Sequence, residues 1–278
     1  MKGYLQKPSL LEKKDVYDEG AILKKAVLSS YVNFKKNIYY QPVVDAKTSS
    51  ILFYESLLRF VGEDGEVFSP TFFIQRAEAD GSIVSLDAES LSMAFNVLAE
   101  NAFLNLSVNV SCFSLEDFLW IHRFDEGAAT FPHVLSRLIV EITETQDFSL
   151  SQEACYRLKR IRTMGVRLAL DDVDQVTFSC LNARLDSGDF AVDFLKISRH
   201  LTKDLEKILG YKERFSNLMR LASDHGVMLI IEGVETKPQC DVLCAQGLFL
   251  QQGYYWGRPA SVFKAHFLFN PVDKSVDN

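Results

Sequence analysis

No stretch of this chain approaches the ~20 consecutive apolar residues needed to cross a bilayer as a helix, although 47% of its 278 residues are hydrophobic. The segment Met1 to Lys14 alternates apolar and charged residues and lacks the uninterrupted core of a signal peptide. These two absences point to a cytoplasmic chain without a membrane span. Basic charge is scarce too. Thirty Lys and Arg against 37 Asp and Glu leave a net charge of −7 and a pI near 5.3. A duplex nucleic-acid binder normally shows a basic face, so that class is disfavoured. A small anionic ligand stays compatible, because a bound metal reverses the sign of charge locally.

Cysteine is sparse and unpatterned. Cys112, Cys155, Cys180, Cys240 and Cys244 are odd in number and scattered, unlike a secreted disulfide framework. Cys240 and Cys244 are spaced to share one helical face, but no histidine lies near them in sequence, so buried thiols are a better reading than zinc. Low-complexity tracts are absent.

What is present is a set of five apolar runs, each finishing on a charged or amide residue. They are Leu106-Ser107-Val108-Asn109, Leu138-Ile139-Val140-Glu141, Leu168-Ala169-Leu170-Asp171-Asp172, Phe194-Leu195-Lys196 and Leu229-Ile230-Ile231-Glu232. A short, nearly continuous apolar run marks a strand buried on both faces. The runs recur roughly every 25–35 residues, the repeat of a (β/α) barrel. In such a barrel the strand C-termini converge on one rim, and three acids, an amide and a lysine on one rim amount to a metal site.

Along the chain, residues 1–19 read as a leader or linker remnant, 20–270 as a barrel domain and 271–278 as a polar tail. Leu23, Val27, Tyr31 and Phe34 predict a first helix over about Ala21–Lys36. Strands near Ile38–Val44 and Ile51–Phe60, joined by a short turn-like segment, predict an antiparallel hairpin. Ser69-Pro70 predicts a helix start with serine as the cap, ending at Asp80-Gly81. Further helices are expected near Leu86–Asn101, Leu150–Met164, Arg199–Gly210 with Tyr211–His225, and Lys237–Gln246, with one more helical segment after Pro259.

Glu55 sits among apolar residues in Phe53-Tyr54-Glu55-Ser56-Leu57-Leu58-Arg59, and a buried carboxylate is expensive unless paired or metal-bound. Glu55 and Arg59 share a face by period two, so a Glu–Arg pair inside the barrel is the other reading. Asn109, Glu141 and Asp171 offer oxygen ligands suited to a hard divalent ion. Asp172, directly after Asp171, allows a second ion, the arrangement that serves phosphoryl transfer. Asp and Asn at strand–helix junctions also commonly cap the following helix. Lys196 needs carboxylates around it, either to serve the site or as a structural ion pair. Glu232 can ligate a metal or take a proton from water, with Glu235 standing behind it, and Gln252 can hydrogen-bond a base.

Together these segments resemble the EAL domain of bacterial cyclic-di-GMP phosphodiesterases. The resemblance rests on Tyr40-Gln41-Pro42-Val43-Val44-Asp45, Glu55-Ser56-Leu57-Leu58-Arg59, Phe73-Ile74 with Ala77-Glu78, and Val108-Asn109-Val110-Ser111. It continues through Glu141-Ile142-Thr143-Glu144, Asp171-Asp172, Val192-Asp193-Phe194-Leu195-Lys196-Ile197, Glu232-Gly233-Val234-Glu235-Thr236 and Gln252-Gly253-Tyr254-Tyr255-Trp256-Gly257-Arg258-Pro259. It implies a modified TIM (β/α)8 barrel with an antiparallel first strand. It also implies two Mg²⁺ or Mn²⁺ ions held by Glu55, Asn109, Glu141, Asp171 and Asp172. By the same resemblance Glu232 and Lys196 manage the nucleophilic water, Arg59 with Gln41, Gln252 and Arg258 contacts the dinucleotide, and Glu144 braces the loop after Asp172. The implied product is linear pGpG, and the implied partners are a second copy of the chain and an upstream sensor or partner protein.

The chain departs from the family pattern in four places, one of them a stretch between Asp172 and Lys196 that is longer than the family norm. The signature Glu-Ala-Leu is Glu55-Ser56-Leu57, Ser198 stands at a usual aspartate, and Val173-Asp174-Gln175-Val176 replaces a glycine-rich loop after the paired aspartates. Glycine allows backbone conformations closed to Val and Gln. The altered loop favours the alternative of a receptor that binds cyclic-di-GMP without cleaving it, or a protein-interaction module; the intact ligand set favours the enzyme. Enolase-type barrels also carry acids and lysine at strand ends, but they need a large N-terminal capping domain.

Overall fold

In the computed structural model, residues 35–62, 65–143, 150–173, 181, 185–186, 188, 191–199 and 211–263 are described. The apolar runs form strands that close on one another. They are β1 (Lys35–Asp45), β2 (Ser50–Val61), the two-residue β3 (Val67–Phe68), β4 (Leu106–Ser111), β5 (Leu138–Thr143), β6 (Arg167–Val173), β7 (Phe194–Ile197), β8 (Met228–Ile231) and β9 (Leu250–Gln252). The order β1-β9-β8-β7-β6-β5-β4-β2 returns to β1 through a β1–β2 pairing, giving an eight-strand barrel with β3 appended to β2. β1 runs antiparallel to both its neighbours, whereas β2 and β4 to β9 pair in parallel. The expected hairpin is therefore present, and it is what makes the first strand antiparallel.

The helices that cover the barrel, among the described residues, are α1 (Thr71–Asp80), α2 (Ile83–Glu100), α3 (Cys112–Glu116), α4 (Phe118–Thr130), α5 (Gln152–Thr163), α6 (Tyr211–His225) and α7 (Lys237–Ala245). α2 turns Ile83, Leu86, Leu91, Phe95 and Leu98 inward at helical spacing, and burying a side chain of this size fully is worth ~1.5–3 kcal/mol. Gly127 of α4 lets that helix lie against the Phe95 ring, where any Cβ would collide. α7 starts with a capping box between Thr236 and Gln239.

Two expectations shift at their edges. Lys35 and Lys36 belong to β1, paired with Val61 and Phe60, because ladder pairing overrides local helical spacing; the rest of the expected first helix lies outside the described residues. α1 begins one residue later than expected, with Pro70 rather than Ser69 at the cap position and no side-chain cap bond. It ends as expected, with Gly81 in the left-handed conformation at φ 78°. The expected helix over Arg199–Gly210 and the tail segment also fall largely outside the described residues. The Cys240 and Cys244 sulfurs lie 3.9 Å apart on α7, and burial pushes the Cys240 thiol up to about 12.

Candidate metal centre at the barrel mouth

Period two along each strand builds the site. Val43, Phe53, Ile139, Ala169, Phe194 and Ile230 meet inside the barrel as an apolar floor. Two residues onward, toward the C-terminal ends of the parallel strands, the same face carries Glu55, Glu141, Asp171, Lys196 and Glu232. Leu250, packed at the floor's edge, is likewise followed two residues on by Gln252. The side chains thus change from apolar to ionic in one step along the barrel axis.

Lys196 stands at the centre of this layer with its side chain only 1% exposed. Its ammonium lies 2.8 Å from Glu141, 3.0 Å from Asp171, 3.0 Å from Glu232 and 3.3 Å from Glu55. Asn109 donates to Glu55 Oε1 at 3.0 Å, and Gln252 donates to Glu55 Oε2 at 2.6 Å. Glu55, Glu141 and Asp171 each present an oxygen within 4.8 Å of the others'.

This balance of charge is unfavourable by itself. Unit charges 4 Å apart interact by ~4 kcal/mol at an effective dielectric constant near 20. Four carboxylates repel one another in more pairs than one ammonium can attract. Burial first, then the Glu55 and Asp171 charges, pushes Glu141 up to about 8 against the pull of Lys196. Glu232 is likewise raised to about 8 by burial and by Asp171 and Glu55. Asp171 is raised by burial and by Glu55. For Glu55 burial also pushes upward, but Lys196, Asn109 and Gln252 together hold it below its ordinary value. Burial alone would lower Lys196; its ring of carboxylates instead holds it well above the ordinary lysine value. The raised proton affinity of Glu141 and Glu232 marks a charge imbalance that a divalent cation would relieve. Glu141 Oε1 and Gln252 Oε1 are buried without a hydrogen-bond partner among the described residues, and such oxygens are suited to facing a cation. The donor set is all-oxygen apart from the lysine, which suits a hard ion.

Other residues singled out by sequence lie apart from this layer. A register shift between Leu170 and Val173 breaks the β6–β7 ladder, and Asp172 sits in it at φ 51°, exposed, while Asp171 turns inward. Arg59 donates to its own strand at Leu58 O and lies 5.6 Å over the Tyr39 ring. Gln41, opposite Glu55 in the hairpin register, donates to Gly257 O at 3.2 Å. The Arg258 guanidinium stacks 4.0 Å from the Tyr254 ring. Glu235 is exposed, with its backbone N–H tied to Gln239 Oε1. Glu144 and residues 174–176 lie outside the described residues.

Sequence reading missed two contributors. Gly253, at φ 155°, lies so close to Val234 that a Cβ would collide with its backbone. Bonds from Val234 N–H to Gln252 O and from Tyr255 N–H to Val234 O then dock the loop after Glu232 on the end of β9. Its signal was a glycine inside a strand-end motif. The other is Asp87, a buried acid on the apolar face of α2; a charge at a core position was its only signal.

Residues 32–259 match the model of the EAL domain family. The Escherichia coli cyclic di-GMP phosphodiesterase PdeL is 25% identical over 253 residues, covering 86% of this chain and 66% of that protein. A cyclic di-GMP phosphodiesterase of Pseudomonas aeruginosa is 28% identical over 227 residues, covering 80% of this chain and 38% of that protein. The chain therefore spans about two thirds of one relative and well under half of the other. The solved EAL domain of Xanthomonas citri FimX, in complex with c-diGMP, superposes with a TM-score of 0.73 at 21% identity, covering 90% of this chain and 99% of that one; this likeness is one of fold. With the barrel, its antiparallel first strand and the acidic mouth in place, the chain belongs to the EAL domain family.

Proposed function

We propose that the protein hydrolyses cyclic di-GMP to linear pGpG. The observation that carries this reading is the Lys196 ammonium enclosed by four carboxylates at the mouth of an EAL-family barrel. Glu55, Asn109, Glu141, Asp171 and Asp172 would hold two Mg²⁺ or Mn²⁺ ions. Bound there, the ions supply charge for the phosphodiester oxygens and acidify water.

Lys196 stays protonated, so it acts as a charge and hydrogen-bond donor that keeps the acids converged, not as a base. Glu232, whose burial raises its proton affinity, accepts the proton of the attacking water. The water oxygen bonds to phosphorus, the P–O3′ bond breaks and the departing O3′ takes up the proton that Glu232 accepted, leaving pGpG with a 5′-phosphate. Arg59 offers its guanidinium to a phosphate, Gln41 and Gln252 offer amides, and Arg258 with the Tyr254 ring offers a charged, aromatic face to a base. A second copy of the chain and a sensor or partner protein are the partners this reading carries with it, and signalling inside a bacterial cell is its setting.

A second reading has one observation in its favour. Asp172 is exposed, with a left-handed backbone, rather than turned into the acidic layer. A receptor that holds the dinucleotide without cutting it would fit that placement. Incubation with cyclic di-GMP in Mg²⁺ or Mn²⁺, with pGpG followed by chromatography and binding measured in Ca²⁺ or EDTA, separates the two. Turnover abolished by Asp171→Asn supports hydrolysis; tight binding with no turnover in either metal overturns it.

A further inference from the structure

β4 is held unequally on its two sides. Toward β5 its register runs unbroken from Leu106 to Ser111, but toward β2 the register ends at the pair Ser56–Val108. Asn109 lies one residue past that last pair, with its amide on Glu55. A side chain closes the open flank. Asp87 of α2 accepts from the Ser111 backbone N–H at 2.8 Å and from the Ser114 hydroxyl at 2.6 Å. Ser111 and Ser114 are tied in turn, Ser114 N–H to Ser111 Oγ at 3.1 Å and hydroxyl to hydroxyl at 3.0 Å. All three residues are buried. The neighbouring inward residues of α2, Ile83, Leu86, Ala88 and Leu91, are apolar. A carboxylate is costly among them unless its hydrogen bonds do something an apolar residue cannot.

We propose that Asp87 is a positioning residue for the mouth of the barrel: it replaces the β2 ladder where that ladder stops, locks the end of β4, and so holds the Asn109 side chain against Glu55. It touches neither substrate nor ion, and it acts through Ser111 and Ser114. The inference rests on the reading of Asn109 as part of the cation site, given above.

The test has a readout that needs no metal. In metal-free, ¹⁵N-labelled protein the Asn109 side-chain amide reports its bond to Glu55. Asp87→Ala is expected to shift that resonance and speed its solvent exchange about tenfold. Asp87→Asn, which keeps an acceptor oxygen, restores both. Leu91→Ala, a cavity on the same helix, is the control for general loosening and leaves the Asn109 resonance in place. If Asp87→Ala does not fold, Ser114→Ala removes one of the two bonds and gives a smaller change in the same direction. Mn²⁺ affinity falls about tenfold in Asp87→Ala and less than threefold in Asp87→Asn, the range typical of residues that brace a ligand. An Asn109 resonance that behaves in Asp87→Ala as it does in Leu91→Ala overturns the proposal. A wild-type chain that binds no Mn²⁺ overturns the cation reading instead, and the amide measurement still decides the role of Asp87.

Discussion

The Lys196 ammonium lies 2.8 Å from the Glu141 carboxylate, with both side chains sealed from solvent. Three further carboxylates reach the same ammonium, so the lysine joins strands β2, β5 and β6 and the residue after β8 through one charge. Removing it leaves an uncompensated anionic cavity. Lys196→Met is expected to cost the metal-free protein roughly 3–5 kcal/mol, as for other broken buried pairs. Mn²⁺ then raises the melting temperature of the variant more than that of the parent. Equal melting temperatures without metal would contradict the picture of a single charge holding the acids together.

Glu232→Gln keeps the shape of the side chain and removes its ability to accept a proton. The expected result is a kcat lower by about 100-fold or more with KM changed only a few-fold, the signature of a lost proton acceptor. A rise in KM at unchanged kcat would assign Glu232 to binding.

Burial raises the Asp87 carboxyl from an ordinary 3.8 to about 6, although the bonds from Ser111 and Ser114 pull it down. Because the folded value lies above the unfolded one, its contribution to stability is complete below the unfolded pKa and is lost as pH rises through about 6. Between pH 4 and pH 7 that amounts to roughly 3 kcal/mol. Denaturant unfolding of the parent and of Asp87→Asn across that range is expected to converge at the acid end and to favour the asparagine variant at neutral pH. A constant difference at every pH would contradict the shift.

Gly253→Ala places a methyl group against the Val234 backbone at a φ that side chains rarely adopt. Overpacking of this kind costs ~1–3 kcal/mol. It should lower the melting temperature and also displace the loop that follows Glu232, so turnover falls beyond what the lost stability explains. A variant with parental stability and turnover would show that the close approach is dispensable.

The barrel was legible because buried parallel strands write themselves as short apolar runs, and the polar residue closing each run marks where a strand reaches the mouth. The ends of those strands were less legible. β4, β5 and β6 continue to Ser111, Thr143 and Val173, past the last apolar run, because ladder hydrogen bonds do not depend on side-chain polarity. Sequence brought Glu55, Asn109, Glu141, Asp171, Lys196, Glu232 and Gln252 into one set, and the structure places them in one layer. It did not foresee that Asp172 would turn away from Asp171, since adjacent carboxylates look alike until a register shift separates them. Nor did it find Asp87, whose partners are a backbone amide and a hydroxyl 24 and 27 residues along the chain.

The central claim is that the acidic layer around Lys196 is a divalent-cation site. Calorimetric titration of Mn²⁺ into metal-free protein at pH 7 tests it most directly. Mn²⁺ is expected to bind and to release protons, because burial raises the proton affinity of Glu141 and Glu232, and both signals are expected to be lost in Asp171→Asn. No Mn²⁺ binding, or binding unchanged by Asp171→Asn, would contradict it.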